Sequence, residues 1–383
     1  MKARTFILIV AALIAVRIFS LVGAYYLPHM EIYRYQEPFL AVNEGDDIPY
    51  YLIAESFYRL EPQAHTKTIG FALLLVPFIA IFGTGFFTIF FPVVLFNGLV
   101  LFSAAIVLIV GASSLIFKKI VPAVLSGLFF VFFPFVFYIF RGFGPNFGNH
   151  TWNDNNFINT LWQSAMPDPM AMFLSLLLLF LFIRKLKKET LPIDYALFGI
   201  LTGFSMMVRM SNITVAAIIF LAILLYEWDK RYKKLFYYCL SVFIGFIPQF
   251  LFNFYFYGSP FLFGYQEEYY TDWVAAGTVR GHPMWGIENL FHLFARAAEY
   301  SWFSIPAFIF MAFLVLFGYL YIKKIDKRFA FIISLWFLLP AIFYMSFVTG
   351  QTAMRYYMPA IPAFIILSVG ALYLLAERLK IKL

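Results

Sequence analysis

Two adjacent carboxylates, Asp46 and Asp47, stand in the stretch GDDIPYYLIAESF in a chain that is 63% hydrophobic. A carboxylate can take a proton from an attacking hydroxyl, and it can also hold a divalent cation beside a substrate phosphate. The structural alternative is that one of these aspartates caps a helix beginning near Pro49, because proline suits a first helical turn. The pair is thus a candidate for acid-base chemistry that the rest of the chain must position.

The composition indicates a polytopic membrane protein. The mean hydropathy is +0.83, and only 13% of the residues are charged, which is typical of a chain surrounded by lipid. The lone cysteine, Cys239, rules out an intrachain disulfide or a thiolate metal cluster. The net charge of +8 is concentrated at the ends of apolar runs, so we predict no nucleic-acid partner.

The apolar runs predict an all-α polytopic transmembrane helical bundle of about ten spans. The predicted spans are 6–26, 86–117, 120–140, 168–183, 192–208, 211–226, 235–257, 301–322, 329–348 and 358–376. The further run 69–82 is shorter than the roughly 20 residues of a typical span, so we predict an interfacial or re-entrant helix in the first outer loop.

The distribution of Lys and Arg predicts the orientation of the bundle. If residues 69–82 do not cross and the N-terminus is cytoplasmic, all the basic clusters between spans lie on the cytoplasmic side. Both termini are then cytoplasmic and the candidate site is extracytoplasmic. We predict one domain, 1–383, with a first outer loop at 27–85 that carries the acidic pair and a second large outer loop at 258–300.

Several short elements follow one another along the chain and lie on the outer side in this topology. They are the acidic pair with Tyr50, HTKTIGFALLLVPFIAIFG (65–83), MPDPMAMF (166–173), MMVRMSN (206–212), FNFYFYGSPFLFGY (252–265) and RYYMPAIPAF (355–364). In this order they resemble the GT-C superfamily of integral membrane glycosyltransferases. The resemblance is to the branch of the dolichyl-phosphate-mannose protein mannosyltransferases and the bacterial lipid A aminoarabinose transferase.

The resemblance implies an inverting glycosyltransferase that moves a monosaccharide from a polyprenyl-phosphate donor to a hydroxyl of a lipid, glycan or protein acceptor. It implies that Asp46 is the catalytic base and that Asp47 orients the acceptor or binds its hydroxyls. The residues expected at the donor phosphate are Lys67, Arg209, Arg355 and, in support, His65. The alternative for the three cations is snorkelling at the membrane interface, and for His65 it is an ordinary polar loop position.

Four further residues are candidates for substrate binding. Tyr50 can stack on a sugar ring, although an interfacial belt of Trp and Tyr accounts for it equally well. Asp168 can position substrate or a metal, although its Asp-Pro pair is also an ordinary helix start. Glu267 and Tyr265 are candidates for the acceptor site, with solvated loop charge as the alternative for Glu267. The histidines show no metal-ligand spacing, and an acidic pair can bind Mg²⁺ or Mn²⁺, so metal dependence stays open and no other cofactor is implied.

Two other classes of function compete with the enzyme. A transporter of lipids or lipid-linked sugars would need a pathway open alternately to both sides. The predicted cytoplasmic turns are short and basic, no internal repeat is detectable, and intramembrane charge is almost confined to Arg17. A structural membrane scaffold would not require acidic and basic groups collected on one side of the membrane.

Overall fold

The computed structural model describes residues 3–26, 47–65, 67–142, 167–186, 191–264, 304–345 and 358–381. Over these ranges the all-α prediction is confirmed, with twelve helices and no strands. In chain order the helices are α1 Ala3–Tyr26, α2 Asp47–Tyr58, α3 Ile69–Phe82, α4 Phe86–Phe117, α5 Ile120–Gly142, α6 Asp168–Lys185, α7 Asp194–Val208, α8 Ile213–Tyr226, α9 Arg231–Tyr257, α10 Ser304–Ile325, α11 Lys327–Met345 and α12 Ile361–Arg378.

Each apolar run that we predicted as a span overlaps one of these helices. By length and composition, three helical stretches of the described chain can cross a membrane, namely Phe86–Phe117, Arg231–Tyr257 and Met358–Arg378. Other apolar helices, such as α7 and α8, are shorter. The helices therefore support a membrane protein, and the arrangement of ten crossings stays a prediction.

The run 69–82 forms a short helix of its own, α3, separate from α4. The helix ends where Gly83 adopts a φ of +95° and donates its N–H to the carbonyl of Ile79. Gly85, with a φ of +129°, then precedes α4. Positive φ angles are readily adopted only by glycine, so these two residues turn the chain and prevent one continuous helix. The helix packs on α2 and α7.

A glycine contact brings α9 against α7, the helix that leads into Arg209. A Cβ atom on Gly203 of α7 would collide with the carbonyl oxygen of Val242 and with the backbone of Gly245. A Cβ atom on Gly245 of α9 would in turn collide with the backbone of Ile200. Small residues allow such close backbone approach in membrane proteins. The two helices that support the candidate site therefore pack backbone to backbone.

Arg17, the charge predicted within the first span, is buried between helices. It is 2% exposed, and its guanidinium carbon lies 4.4 Å from the centroid of the Phe102 ring in α4. A cation over an aromatic face is attracted by the negative ring face, and more strongly where water is excluded. This contact therefore contributes to the packing of α1 on α4.

Candidate functional site

The centre of the candidate site is an ion pair between Asp168 and Arg209. Arg209 Nη1 lies 2.6 Å from Asp168 Oδ1, and the two side chains are 15% and 1% exposed, respectively. Asp168 is the first residue of α6, and Arg209 is the extended residue that ends α7. The carboxylate therefore fixes the guanidinium at the junction of two helices while part of the arginine side chain stays accessible.

Asn212 joins the segment that carries Arg209 to the helix that carries Asp168. Its side-chain amide donates to Ser205 Oγ at 2.6 Å and to the carbonyl of Ala171 at 3.2 Å. Its oxygen accepts from Ser175 Oγ at 3.0 Å. Asn212 is fully buried, so these bonds meet the hydrogen-bonding needs of a polar group away from water. They also set the register between α6 and the end of α7.

We expect Asn212→Leu to lower the free energy of unfolding by about 1–3 kcal/mol, because the serine hydroxyls and the Ala171 carbonyl would lose a buried partner. The measurement is thermal unfolding of the purified protein in detergent. The control is Ser368→Ala, which removes a buried hydroxyl that bonds only within its own helix, to the Phe364 carbonyl. If the Asn212→Leu protein unfolds at the same temperature as the Ser368→Ala protein, Asn212 does not have this role.

The segment that carries Lys67 lies beside Arg209. The hydroxyl of Thr68, the residue before α3, donates to the carbonyl of Val208 at 3.4 Å. A Cβ atom on Gly70 would collide with the backbone of Met207 and Val208, so the start of α3 lies directly on the end of α7. Two cations that are far apart in sequence, Lys67 and Arg209, are therefore attached to neighbouring pieces of backbone.

The last turns of α9 also support this segment. The Gln249 side-chain oxygen accepts from the backbone N–H of Ile69 at 2.9 Å, and its amide donates to Asn253 Oδ1 at 2.8 Å. The Tyr257 hydroxyl accepts from the backbone N–H of His65 at 3.1 Å and donates to its carbonyl at 2.6 Å. Residues of α9 thus hold the backbone on both sides of Lys67.

The start of α2 lies close to the start of α3. Tyr50 is 4% exposed, and its ring packs edge to face on Phe71 with centroids 5.5 Å apart. Tyr50 lies one turn after Asp47, and Phe71 lies one turn after Lys67. The contact therefore brings the beginnings of the two helices together, and Tyr50 contributes packing there. Its predicted role in binding substrate stays a prediction.

Asp47 is the first residue of α2, and Pro49 lies in its first turn. The helix start that the capping alternative requires is therefore present. Asp168 likewise opens α6 with Pro169 next to it. Four predicted site residues lie outside the described residues: Asp46, Tyr265, Glu267 and Arg355.

Another carboxylate of α2, Glu55, belongs to a surface ion pair. Arg59 donates to Glu55 Oε1 from Nη2 at 2.6 Å and from Nε at 3.1 Å. The hydrogen bonds from Arg59, together with one from Tyr51, hold the pKa of Glu55 below its usual value. Such a carboxylate stays ionised and engaged, which makes it a poor general base.

Three residues that hold the site together were not identified from the sequence as supports: Asn212, Gln249 and Tyr257. The quoted elements MMVRMSN and FNFYFYGSPFLFGY contain the first and the last of them. A polar side chain inside an apolar run was the available signal, because such a group needs a buried partner.

Among the described residues, no group of three or more His, Cys, Asp or Glu could hold a metal ion. Asp168 already has the Arg209 guanidinium against one of its oxygens.

The comparisons with known proteins add no relative to this picture. No protein-family model matches the chain, and no curated protein matches it significantly.

Proposed function

We propose that this chain is an inverting integral membrane glycosyltransferase that uses a polyprenyl-phosphate-linked monosaccharide. The observation that carries the proposal is the juxtaposition of the Lys67 segment with Arg209, next to the buried carboxylate of Asp168. Lys67 and Arg209 are attached to adjacent backbone, and a buried carboxylate fixes Arg209. This arrangement is better explained by phosphate binding than by snorkelling of the two cations at a lipid-facing surface.

The N-termini of α3 and α6 lie in this neighbourhood, where α7 ends with its C-terminus at Arg209. α3 begins beside Val208, and α6 begins at Asp168, which pairs with Arg209. The first turn of a helix carries a partial positive charge, which favours anions, although the first N–H of α3, that of Ile69, is already bonded to Gln249. A donor phosphate would therefore meet two side-chain cations and helix N-termini in the same neighbourhood.

In the proposed reaction the acceptor oxygen attacks the anomeric carbon of the donor sugar. Asp46 takes the hydroxyl proton while Asp47 orients the acceptor, and the bond between the anomeric carbon and the phosphate oxygen breaks. The phosphate leaves on the polyprenol with the electron pair, and Lys67, Arg209 and Arg355 stabilise its charge. Attack opposite the leaving group inverts the anomeric centre. The acceptor is a lipid, a glycan or a protein hydroxyl.

The direct test is reconstitution of the purified protein in liposomes that contain a panel of polyprenyl-phosphate monosaccharides labelled in the sugar. The proposal predicts release of polyprenyl phosphate and transfer of label to an added acceptor. Movement of intact donor between the leaflets, with no cleavage, would contradict the enzyme and support a lipid-linked-sugar transporter.

The proposed topology places the α3–α4 turn outside and the α4–α5 turn in the cytoplasm. In a Cys239→Ser background, Thr84→Cys should react with an impermeant thiol reagent on intact cells, and Lys119→Cys only after permeabilisation. Both positions are exposed, so burial does not limit labelling, and neither has the positive φ of Gly83 or Lys118. Labelling of Lys119→Cys from outside would overturn the ten-span arrangement.

A further inference from the structure

A second cluster of cations and aromatic rings lies at the turn between α8 and α9, at the opposite end of α9 from Tyr257. Trp228, Lys230, Arg231, Tyr232 and Lys233 line an open depression of about 440 Å³. The two rings are largely exposed, at 72% for Trp228 and 71% for Tyr232. Large exposed aromatic side chains beside lysines are unusual on a surface that only meets water, because they expose apolar area.

Arg231 is held between these two rings. Its guanidinium carbon lies 4.6 Å from the ring centroid of Trp228 and 4.9 Å from that of Tyr232. Nη2 also donates to the Tyr232 hydroxyl at 3.2 Å. A guanidinium stacked in this way keeps its charge and loses little further freedom on binding an anion. The arginine is therefore preorganised at the surface of the depression.

The turn keeps a positive surface charge even though one of its lysines is paired with a glutamate. Glu227 forms an ion pair with Lys234 at 2.6 Å, and Lys234 is buried. The cations left at the surface are Lys230, Arg231 and Lys233, and Asp229 is the acidic residue among them. Lys230 also adopts a left-handed φ of +49°, a conformation in which glycine or asparagine would be less strained. Lys118 and Lys380 adopt the same left-handed conformation at other helix ends, so what distinguishes this turn is its charge and its rings.

The cluster lies at the start of a helix that can span a membrane. α9 is one of the candidate spans, and Phe236, next along the helix from the cluster, is 63% exposed. Trp and Tyr are enriched at the headgroup level of bilayers, and basic residues there attract anionic lipids. The cations of this helix end therefore match the charge of an anionic lipid headgroup, and the exposed rings match the apolar region next to that headgroup.

We propose that this cluster is a binding site for an anionic phospholipid headgroup. Lys230, Arg231 and Lys233 contact the phosphodiester, and the rings of Trp228 and Tyr232 lie against the glycerol and the first methylenes of the acyl chains. The ligand is a lipid of the surrounding bilayer. The site is independent of the proposed glycosyl transfer and of which side of the membrane the turn occupies.

The test titrates purified, delipidated full-length protein in neutral detergent with short-chain phosphatidylglycerol, and bound lipid is counted by native mass spectrometry. The site variant is Lys230→Gln/Arg231→Gln/Lys233→Gln. The matched control is Lys323→Gln/Lys327→Gln/Lys380→Gln, which removes the same charge from exposed positions at other helix ends. We expect the site variant to lose phosphatidylglycerol affinity by about tenfold or more, and the control by much less.

Three results would overturn the proposal. One is an equal loss of affinity in both triple variants, which would indicate a diffuse surface charge effect. Another is equally tight binding of phosphatidylcholine of the same chain length. A third is displacement of the lipid by glycerol 3-phosphate, which would identify a free phosphate as the ligand. If the triple variant unfolds, Lys233→Gln alone tests the same point, with a smaller expected loss.

Discussion

Replacing Asp46 by asparagine is expected to lower the rate of sugar transfer by a factor of roughly 10² to 10⁴, the usual contribution of a general base. Asparagine keeps the size of the side chain but cannot accept the hydroxyl proton of the acceptor. Binding of the donor should change little, because Asp46 acts on the acceptor. The measurement is the initial rate of label transfer in liposomes, with the donor that the panel identifies.

Two further variants make this result specific. Glu55→Gln removes a carboxylate of the same outer loop that Arg59 already engages, and it should transfer sugar at close to the wild-type rate. Asp47→Asn tests the neighbour. Wild-type turnover by folded Asp46→Asn protein would exclude Asp46 as the base, and full loss in Asp47→Asn alone would assign the role to Asp47.

The helices could be located from the sequence because most apolar runs are bounded by charges or glycines. Their ends were less predictable where charged residues continue the helix. α9 begins at Arg231 and not at 235. Lys and Arg are good helix formers, but their low hydropathy places the end of an apolar run before them. The separate helix α3 followed from the shortness of its run, and the positive φ angles of Gly83 and Gly85 explain where it stops.

The contacts within the site were not predictable in the same way. The sequence singled out Asp168 and Arg209 one by one, as a substrate ligand and a phosphate ligand, but it carries no signal that they form an ion pair. The pairing follows from how α6 and α7 meet, which Asn212 determines through bonds to both helices. Gln249 likewise contacts Ile69 where α3 and α9 both pack on α7, an arrangement in which glycines lie at both contacts.

The ion pair leads to a second prediction, in which a double variant recovers the stability of the fold but does not recover donor binding. Arg209→Gln should destabilise the fold by about 3–5 kcal/mol, since it leaves the buried carboxylate of Asp168 without this partner. The double variant Arg209→Gln/Asp168→Asn removes both charges and should recover most of that stability. Thermal unfolding in detergent measures both effects, and a double variant as unstable as Arg209→Gln would show that the pair is not what stabilises this junction.

Donor binding should not recover in the double variant. A charge-assisted hydrogen bond to phosphate contributes about 1.5–3 kcal/mol, which corresponds to roughly 10- to 150-fold in affinity. The double variant, Lys67→Gln and Arg355→Gln should each bind a polyprenyl-phosphate sugar more weakly by such a factor. Arg59→Gln is the matched control, because the Arg59 side chain is 57% exposed and engaged by Glu55.

Two outcomes would contradict the phosphate site. If the double variant regains wild-type donor affinity along with its stability, Arg209 has a structural role only. If Lys67→Gln and Arg355→Gln also bind the donor normally, the phosphate site is not at this cluster. If snorkelling at the interface explains all three cations, their neutral variants should bind the donor like Arg59→Gln.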